Sequence, residues 1–154
     1  MMCAVCGGNI RPSSCCNGCG ISYDEMIDTI RHDEMIRLLE KIKRLTSSHE
    51  PVDLEVSLLA CEIANSHFLV PAEVVGDTLQ VSGIKSPDGK QFIMLFTDRE
   101  EYDKCDFDKI PATNPFKLCM DLLEDEDDGF VINVKGDAWV LPKDYLETFF
   151  GDQE

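Results

Sequence analysis

Gln91-Phe92-Ile93-Met94-Leu95-Phe96-Thr97-Asp98 is the stretch around which the chain reads as a fold. Between the glutamine and the threonine every residue is apolar, so no face is left for water. An apolar run of this length without alternation suits a central strand, covered on both sides. Just upstream, Ser86-Pro87-Asp88-Gly89 is a turn signal. Just downstream, Asp98-Arg99-Glu100-Glu101-Tyr102 reads as a short helix with Thr97 or Asp98 as its N-cap.

Toward the C-terminus, an irregular piece holds Pro111 and Asn114, and residues 115–123 read as a helix with Pro115 in its first turn. Residues 130–134 and 138–141 read as two strands joined at Lys135-Gly136-Asp137, a hairpin. Pro142 opens a last helix that carries Leu146, Phe149 and Phe150 and is closed by Gly151. Toward the N-terminus, residues 79–84 form a further strand, and residues 68–75 form one whose Pro71 marks an edge or a strand start. Residues 53–65 read as a helix that buries Leu54, Leu58 and Cys61, with Ile63 and Ala64 nearby.

Before that helix lies a linker, Thr46-Ser47-Ser48-His49-Glu50-Pro51, and before the linker a helical segment. Ser22-Tyr23-Asp24-Glu25 matches a capping box. Asp24-Glu25-Met26-Ile27 recurs as Asp33-Glu34-Met35-Ile36. At about 100° per residue the two copies fall on opposite helix faces, so the segment is either two-sided or bent near Arg31-His32-Asp33. From Met35 the apolar stripe runs through Leu38, Leu39, Ile42 and Leu45, with Arg37, Lys41, Lys43 and Arg44 on the other side.

The chemistry is concentrated at the start. Cys3-Ala4-Val5-Cys6-Gly7 and Cys16-Asn17-Gly18-Cys19-Gly20 are two C-x-x-C-G knuckles. Two-residue gaps let both sulfurs of one turn face one ion, and the paired knuckles suit a tetrahedral Zn²⁺ held by Cys3, Cys6, Cys16 and Cys19. Cys16 is preferred over the adjacent Cys15, which would lengthen the second gap. Four closed thiolates define a structural site, since catalytic zinc keeps an open position. The remaining cysteines, Cys61, Cys105 and Cys119, are scattered, a pattern expected of a reducing cytosol. Cys61 and Cys119 lie on apolar helix faces as core residues, whereas Cys105 beside Lys104 is a candidate reactive thiol.

Over 154 residues the net charge is −16 and the pI about 4.4. Such a polyanion is repelled by phosphate backbones and anionic lipid, which counts against the nucleic-acid role that zinc ribbons often have. From Asp98 onward 17 acidic residues face 6 basic ones, a balance of −11 that suits a basic protein partner. The acidic run at 124–128 fails as a calcium loop: with Gly129 at the sixth position, Lys135 stands where a bidentate glutamate is needed. No apolar run is long enough to span a membrane, no leader is evident, and the expectation is a cytoplasmic protein. His32, His49 and His67 stand in no catalytic motif, and His67, beside an apolar run, reads as a satisfied structural residue. No catalytic residue is assigned.

Phe68-Leu69-Val70-Pro71-Ala72, the 91–98 stretch, Gly129-Phe130-Val131-Ile132-Asn133-Val134 and Trp139-Val140-Leu141-Pro142, in that order, resemble the SseB N-terminal-domain family over about residues 52–150. That family has a helix leading to a "VP" strand, a strand ending in "FT", a "G-hydrophobic-hydrophobic-I-N-P" hairpin and a closing leucine with a helix. This chain departs at Val134, where the family has proline. The resemblance implies a compact α+β domain of bacterial origin and carries no catalytic residues. Asn133 is expected to hydrogen-bond the hairpin turn or a neighbouring loop, and Trp139 to pack in the core or at an interface.

The organisation expected is therefore a zinc ribbon at 1–21, a helical connector at 22–46 and an SseB-like α+β domain at 52–151. The expected function is a non-enzymatic interaction or regulatory module with a structural zinc site. An enzyme with an unrecognised site in the α+β domain, and a nucleic-acid-binding ribbon, are the rival readings.

Overall fold

The structure, a computed structural model, describes residues 3–11, 14–75, 78–81, 83–105 and 110–150. In chain order its elements are α1 (Tyr23–Thr29), α2 (Asp33–Ser47), α3 (Asp53–Ala64), β1 (His67–Val75), β2 (Thr78–Val81), β3 (Gly83–Lys85) and β4 (Gln91–Leu95). These are followed by α4 (Arg99–Asp103), β5 (Ile110–Pro115), α5 (Phe116–Met120), β6 (Gly129–Ile132), β7 (Trp139–Pro142) and α6 (Lys143–Phe150). The fold is α+β. One sheet has the order β2-β1-β5 and is antiparallel; the other has the order β3-β4-β6-β7, with β4 and β6 parallel. Leu69 in β1 and Phe96 just past β4 join the sheets, each donating its N–H to the other's carbonyl at 2.9 Å.

The apolar run at 91–97 is explained by what covers it. Strand side chains alternate between faces. Ile93 and Leu95 of β4, with Phe130 and Ile132 of β6, face a core built with Met35, Leu39 and Ile42 of α2, Leu59 and Ile63 of α3, and Leu146 of α6. Met94, Phe96 and Val131 face the other way, into a second core with Tyr23, Met26 and Ile27 of α1 and with Cys3, Ile10 and Cys16. Each face of the central strand pair thus has its own apolar cover, and the cysteine segment is part of one of them.

The expected helical segment is two helices. Ile30 leaves α1 in extended conformation, and α2 begins at Asp33, so the bend falls at Arg31-His32. Each copy of the Asp-Glu-Met-Ile repeat opens its own helix, with the acids in the first turn where the helix dipole favours them. Met26 and Ile27 then serve the second core and Met35 the first. The Ser22 cap forms as expected, its Oγ accepting the Glu25 N–H at 3.2 Å. α2 extends to Ser47, and His49 behind it adopts a left-handed φ of 57° while the Glu50 N–H returns to the Leu45 carbonyl at 2.9 Å.

Five other expectations are corrected. α3 turns Leu59, Ala60 and Ile63 inward and leaves Leu54 67% and Leu58 47% exposed, with Cys61 also exposed. The helix is apolar on nearly every side, so its periodicity does not tell which side faces the core. β1 is the central strand of its sheet and not an edge. Its Pro71 lies opposite Pro111 of β5. Leu69 bonds toward Phe96, so Pro71, two residues on, aims its nitrogen the same way, off β5 and beyond the 72–75 stretch that β2 pairs. No ladder bond is lost. The proline-marked irregular piece is therefore strand β5. The expected 79–84 strand is divided between β2 and β3, which belong to different sheets. The helix from 115 is short, ending at Met120, with Pro115 as its N-cap.

The 130–141 hairpin forms as β6 and β7, and the strand at 91 and the Asp98-capped α4 are where they were expected. Gly151 lies outside the described residues, as do the side chains of Leu79, Phe149 and Phe150.

Candidate metal centre

The two knuckles repeat one backbone design. Cys3 donates its N–H to Gly8 at 2.8 Å, as Cys16 does to Ile21 at 2.8 Å. Gly7 donates back to Cys3 at 2.9 Å, as Gly20 does to Cys16 at 3.0 Å. Gly7 and Gly20 take φ of 78° and 81°, the left-handed conformation that lets each turn double back and that costs glycine nothing. The glycine after each cysteine pair is thus required by the turn.

The result is a cluster in which the sulfurs of Cys3, Cys6, Cys16 and Cys19 all lie within 4.8 Å of one another. Cys3 Sγ lies 3.9 Å from Cys19 Sγ, and Cys6 Sγ lies 3.4 Å from Cys16 Sγ. A tetrahedral ion with metal–sulfur bonds of about 2.3 Å requires sulfurs about 3.8 Å apart, so the set fits a four-thiolate ion. Cys15 is exposed and bridges Ser22 through its backbone, away from the cluster. Gly8 and Gly18 donate N–H bonds to Cys6 Sγ and Cys16 Sγ at 3.3 Å each. Such donors stabilise thiolate over thiol. The N–H groups of Cys19 and Gly18 hold the Cys16 thiol down to about 6. The Ile21 N–H pulls Cys19 in the same direction, but partial desolvation beside the cluster and the three neighbouring sulfurs outweigh it and push Cys19 up to about 11.

The cluster is half sunk. Cys3 and Cys16 are buried in the second core, and Cys6 and Cys19 are exposed. Ala4 donates its N–H to Met26 Sδ at 3.4 Å, and the Tyr23 hydroxyl donates to the Pro111 carbonyl across the domain. His32 Nε2 lies 2.5 Å from the His67 carbonyl oxygen, fixing the bend between α1 and α2.

The other singled-out residues do not gather into a site. His67 is not the satisfied residue expected: its Nε2 is buried without a partner among the described residues, and burial, with His32 beside it, lowers its pKa. Burial raises the Cys105 thiol, and Lys104 gives its ammonium to Glu101 at 2.6 Å, which removes the basis for a reactive thiol. Cys119 is core as expected, pushed up to about 12 by burial. In the acidic run, Asp127 Oδ1 accepts from Gln91 Nε2 at 3.0 Å and Asp128 Oδ2 from the Gln91 N–H at 2.9 Å. Those carboxylates hold the start of β4.

One cluster had no signal in the sequence. Lys43, Lys104 and Lys135, from three separate segments, line a 330 Å³ surface cleft at the carboxyl ends of β4 and β6. Lys43 is paired with Asp137 at 3.0 Å and Lys104 with Glu101, so carboxylates already compensate most of that charge.

Asn133 ends β6 with a φ of 52°, and its side chain spans to the end of β4. Its Oδ1 accepts the Thr97 N–H at 3.0 Å, and its Nδ2 donates to Thr97 Oγ1 at 3.0 Å. Gly129 opens the same strand where a Cβ would lie 2.0 Å from the Leu141 carbonyl oxygen. The "FT" and "G…IN" motifs are therefore parts of one strand junction.

These features define an α+β domain of two bridged sheets, one face of which is closed by a four-cysteine centre able to hold a metal ion. The SseB protein N-terminal domain family matches residues 43–148, and the chain belongs to that family. The match begins inside α2, upstream of residue 52, and leaves the α2 residues of the first core, Met35, Leu38, Leu39 and Ile42, just before it. Comparison with curated proteins returned no match, and comparison with solved structures returned none. No helix among the described residues is long and apolar enough to cross a membrane.

Proposed function

We propose that the chain is a metal-stapled, non-enzymatic binding module: an SseB domain with one structural Zn²⁺ on Cys3, Cys6, Cys16 and Cys19, engaging a basic protein partner from the cytosol. The observation that carries this reading is the closed set of four sulfurs within 4.8 Å. Four thiolates complete a tetrahedron and leave no position for a substrate or an activated water, so the ion serves structure. The net charge of −16 favours a basic protein surface and opposes phosphate backbones.

Soft thiolate sets select zinc or iron, and elemental analysis separates them. The expected result is about one zinc per chain with no visible absorbance; an iron–sulfur spectrum, or no metal, overturns the assignment. For the partner, capture from a bacterial lysate at low and moderate salt is expected to recover a basic protein whose binding weakens as salt rises. Recovery of nothing at either salt counts against the binding role.

A further inference from the structure

The first core is complete without the cysteine segment. It is assembled from α2, α3, α5, α6 and the inner faces of the strands. The second core lies on the opposite face; apart from Tyr102 of α4, which stands edge-on to Phe96, its cover is residues 3–30: Cys3, Ile10 and Cys16 from the knuckles, then Tyr23, Met26, Ile27 and Ile30. The cover is laid over Leu69, Met94, Phe96 and Val131, which belong to the family-matched part of the chain, whereas the cover lies wholly before it. A short extended piece, Ile30 to His32, connects it to α2.

Residues 3–22 contain isolated bridges but no helix or strand among those described, and cannot build a core of their own. Their shape depends on the knuckles, and the free energy of metal binding at such sites is free energy of folding. Two of the four sulfurs are themselves buried packing atoms of the second core. Metal loss then removes the order of the layer that seals one face of the sheet, while the other face keeps all its partners.

We infer that metal occupancy controls this cover: with the ion bound the second face is closed, and without it residues 3–30 loosen at Ile30–His32 and open the Leu69, Met94, Phe96 and Val131 face while the first core stays folded. The inference rests on the proposed metal site. Methionines report on each face separately, since Met26 and Met94 lie in the second core and Met35 in the first.

The test is hydroxyl-radical footprinting of the full chain, before and after stripping with a chelator, with bound metal measured in the same samples. A Cys6→Ser variant gives the same comparison without a chelator and removes an exposed ligand, so buried packing is untouched. The expected result is that Met26 and Met94 become severalfold more reactive on metal loss while Met35 does not change. If metal is bound and its removal leaves Met94 protected, the cover does not depend on the ion and the inference fails. If Met35 rises together with Met94, the chain unfolds as one unit and the inference fails. If the untreated chain carries no metal, the metal assignment itself fails and takes the inference with it.

Discussion

Thr97 and Asn133 are bound to each other by two hydrogen bonds of 3.0 Å, across the gap between the ends of two parallel strands. Asn133 is buried and holds a left-handed φ, which asparagine tolerates better than most residues. Its amide oxygen accepts the buried Thr97 N–H. Removing the side chain leaves that donor unsatisfied, a cost of about 1–3 kcal/mol. Asn133→Ala is expected to lose more stability than Asn133→Gly, which loses the same bonds but not the backbone fit. Urea denaturation of both variants checks the order; equal losses would show that the backbone conformation contributes nothing.

Gly129 separates two effects that glycine substitutions usually combine. A Cβ there would meet the Leu141 carbonyl oxygen at 2.0 Å, whereas at Gly89, with φ of 86°, nothing lies within 4 Å. Gly89→Ala should cost about 1–2 kcal/mol from the left-handed backbone alone. Gly129→Ala must also push β7 from β6 and should exceed about 4 kcal/mol. Unfolding midpoints measure the difference, and similar losses would refute the close approach.

On α3, neighbouring leucines should behave oppositely. Leu59 is buried in the first core, and Leu58 is 47% exposed. Leu59→Ala is expected to cost about 2–5 kcal/mol. Leu58→Ala should stay within about 0.5 kcal/mol. A large loss at Leu58 would mean that this face of the helix is covered in solution.

Metal affinity should rise with pH. The ion binds thiolates, so it must displace the proton of Cys19, whose thiol is pushed up to about 11. At every pH below that value, raising the pH makes this displacement easier. Cys16, held down to about 6, is mostly thiolate at neutral pH and contributes to the dependence only as the pH falls through that value. Competition against a chromophoric chelator at pH 6.5 and pH 8 is expected to show tighter binding at the higher pH. Flat affinity across that range would contradict the raised Cys19 thiol.

Local rules made several parts of this protein legible from residue types alone. The knuckles follow from cysteine spacing and from glycines that must adopt positive φ. The Ser22 cap, the Asp98 cap and the 130–141 hairpin rest on contacts between residues close in the chain. The motif order was enough to indicate the family that the match to residues 43–148 shows.

What only tertiary structure decided is which surface each element turns toward the rest. α3 has apolar residues on every side, so its partner selects Leu59 over Leu58. Pro71 and Pro111 look like breaks in the sequence, yet paired across from each other their missing donors fall where no ladder bond is needed. The same holds for the cysteine segment. Its spacing says that it can bind an ion, but the burial of Cys3 and Cys16 against Phe96 and Val131 makes it the cover of a sheet face rather than an appendage. Such pairings join residues far apart in the chain, and no local propensity encodes them.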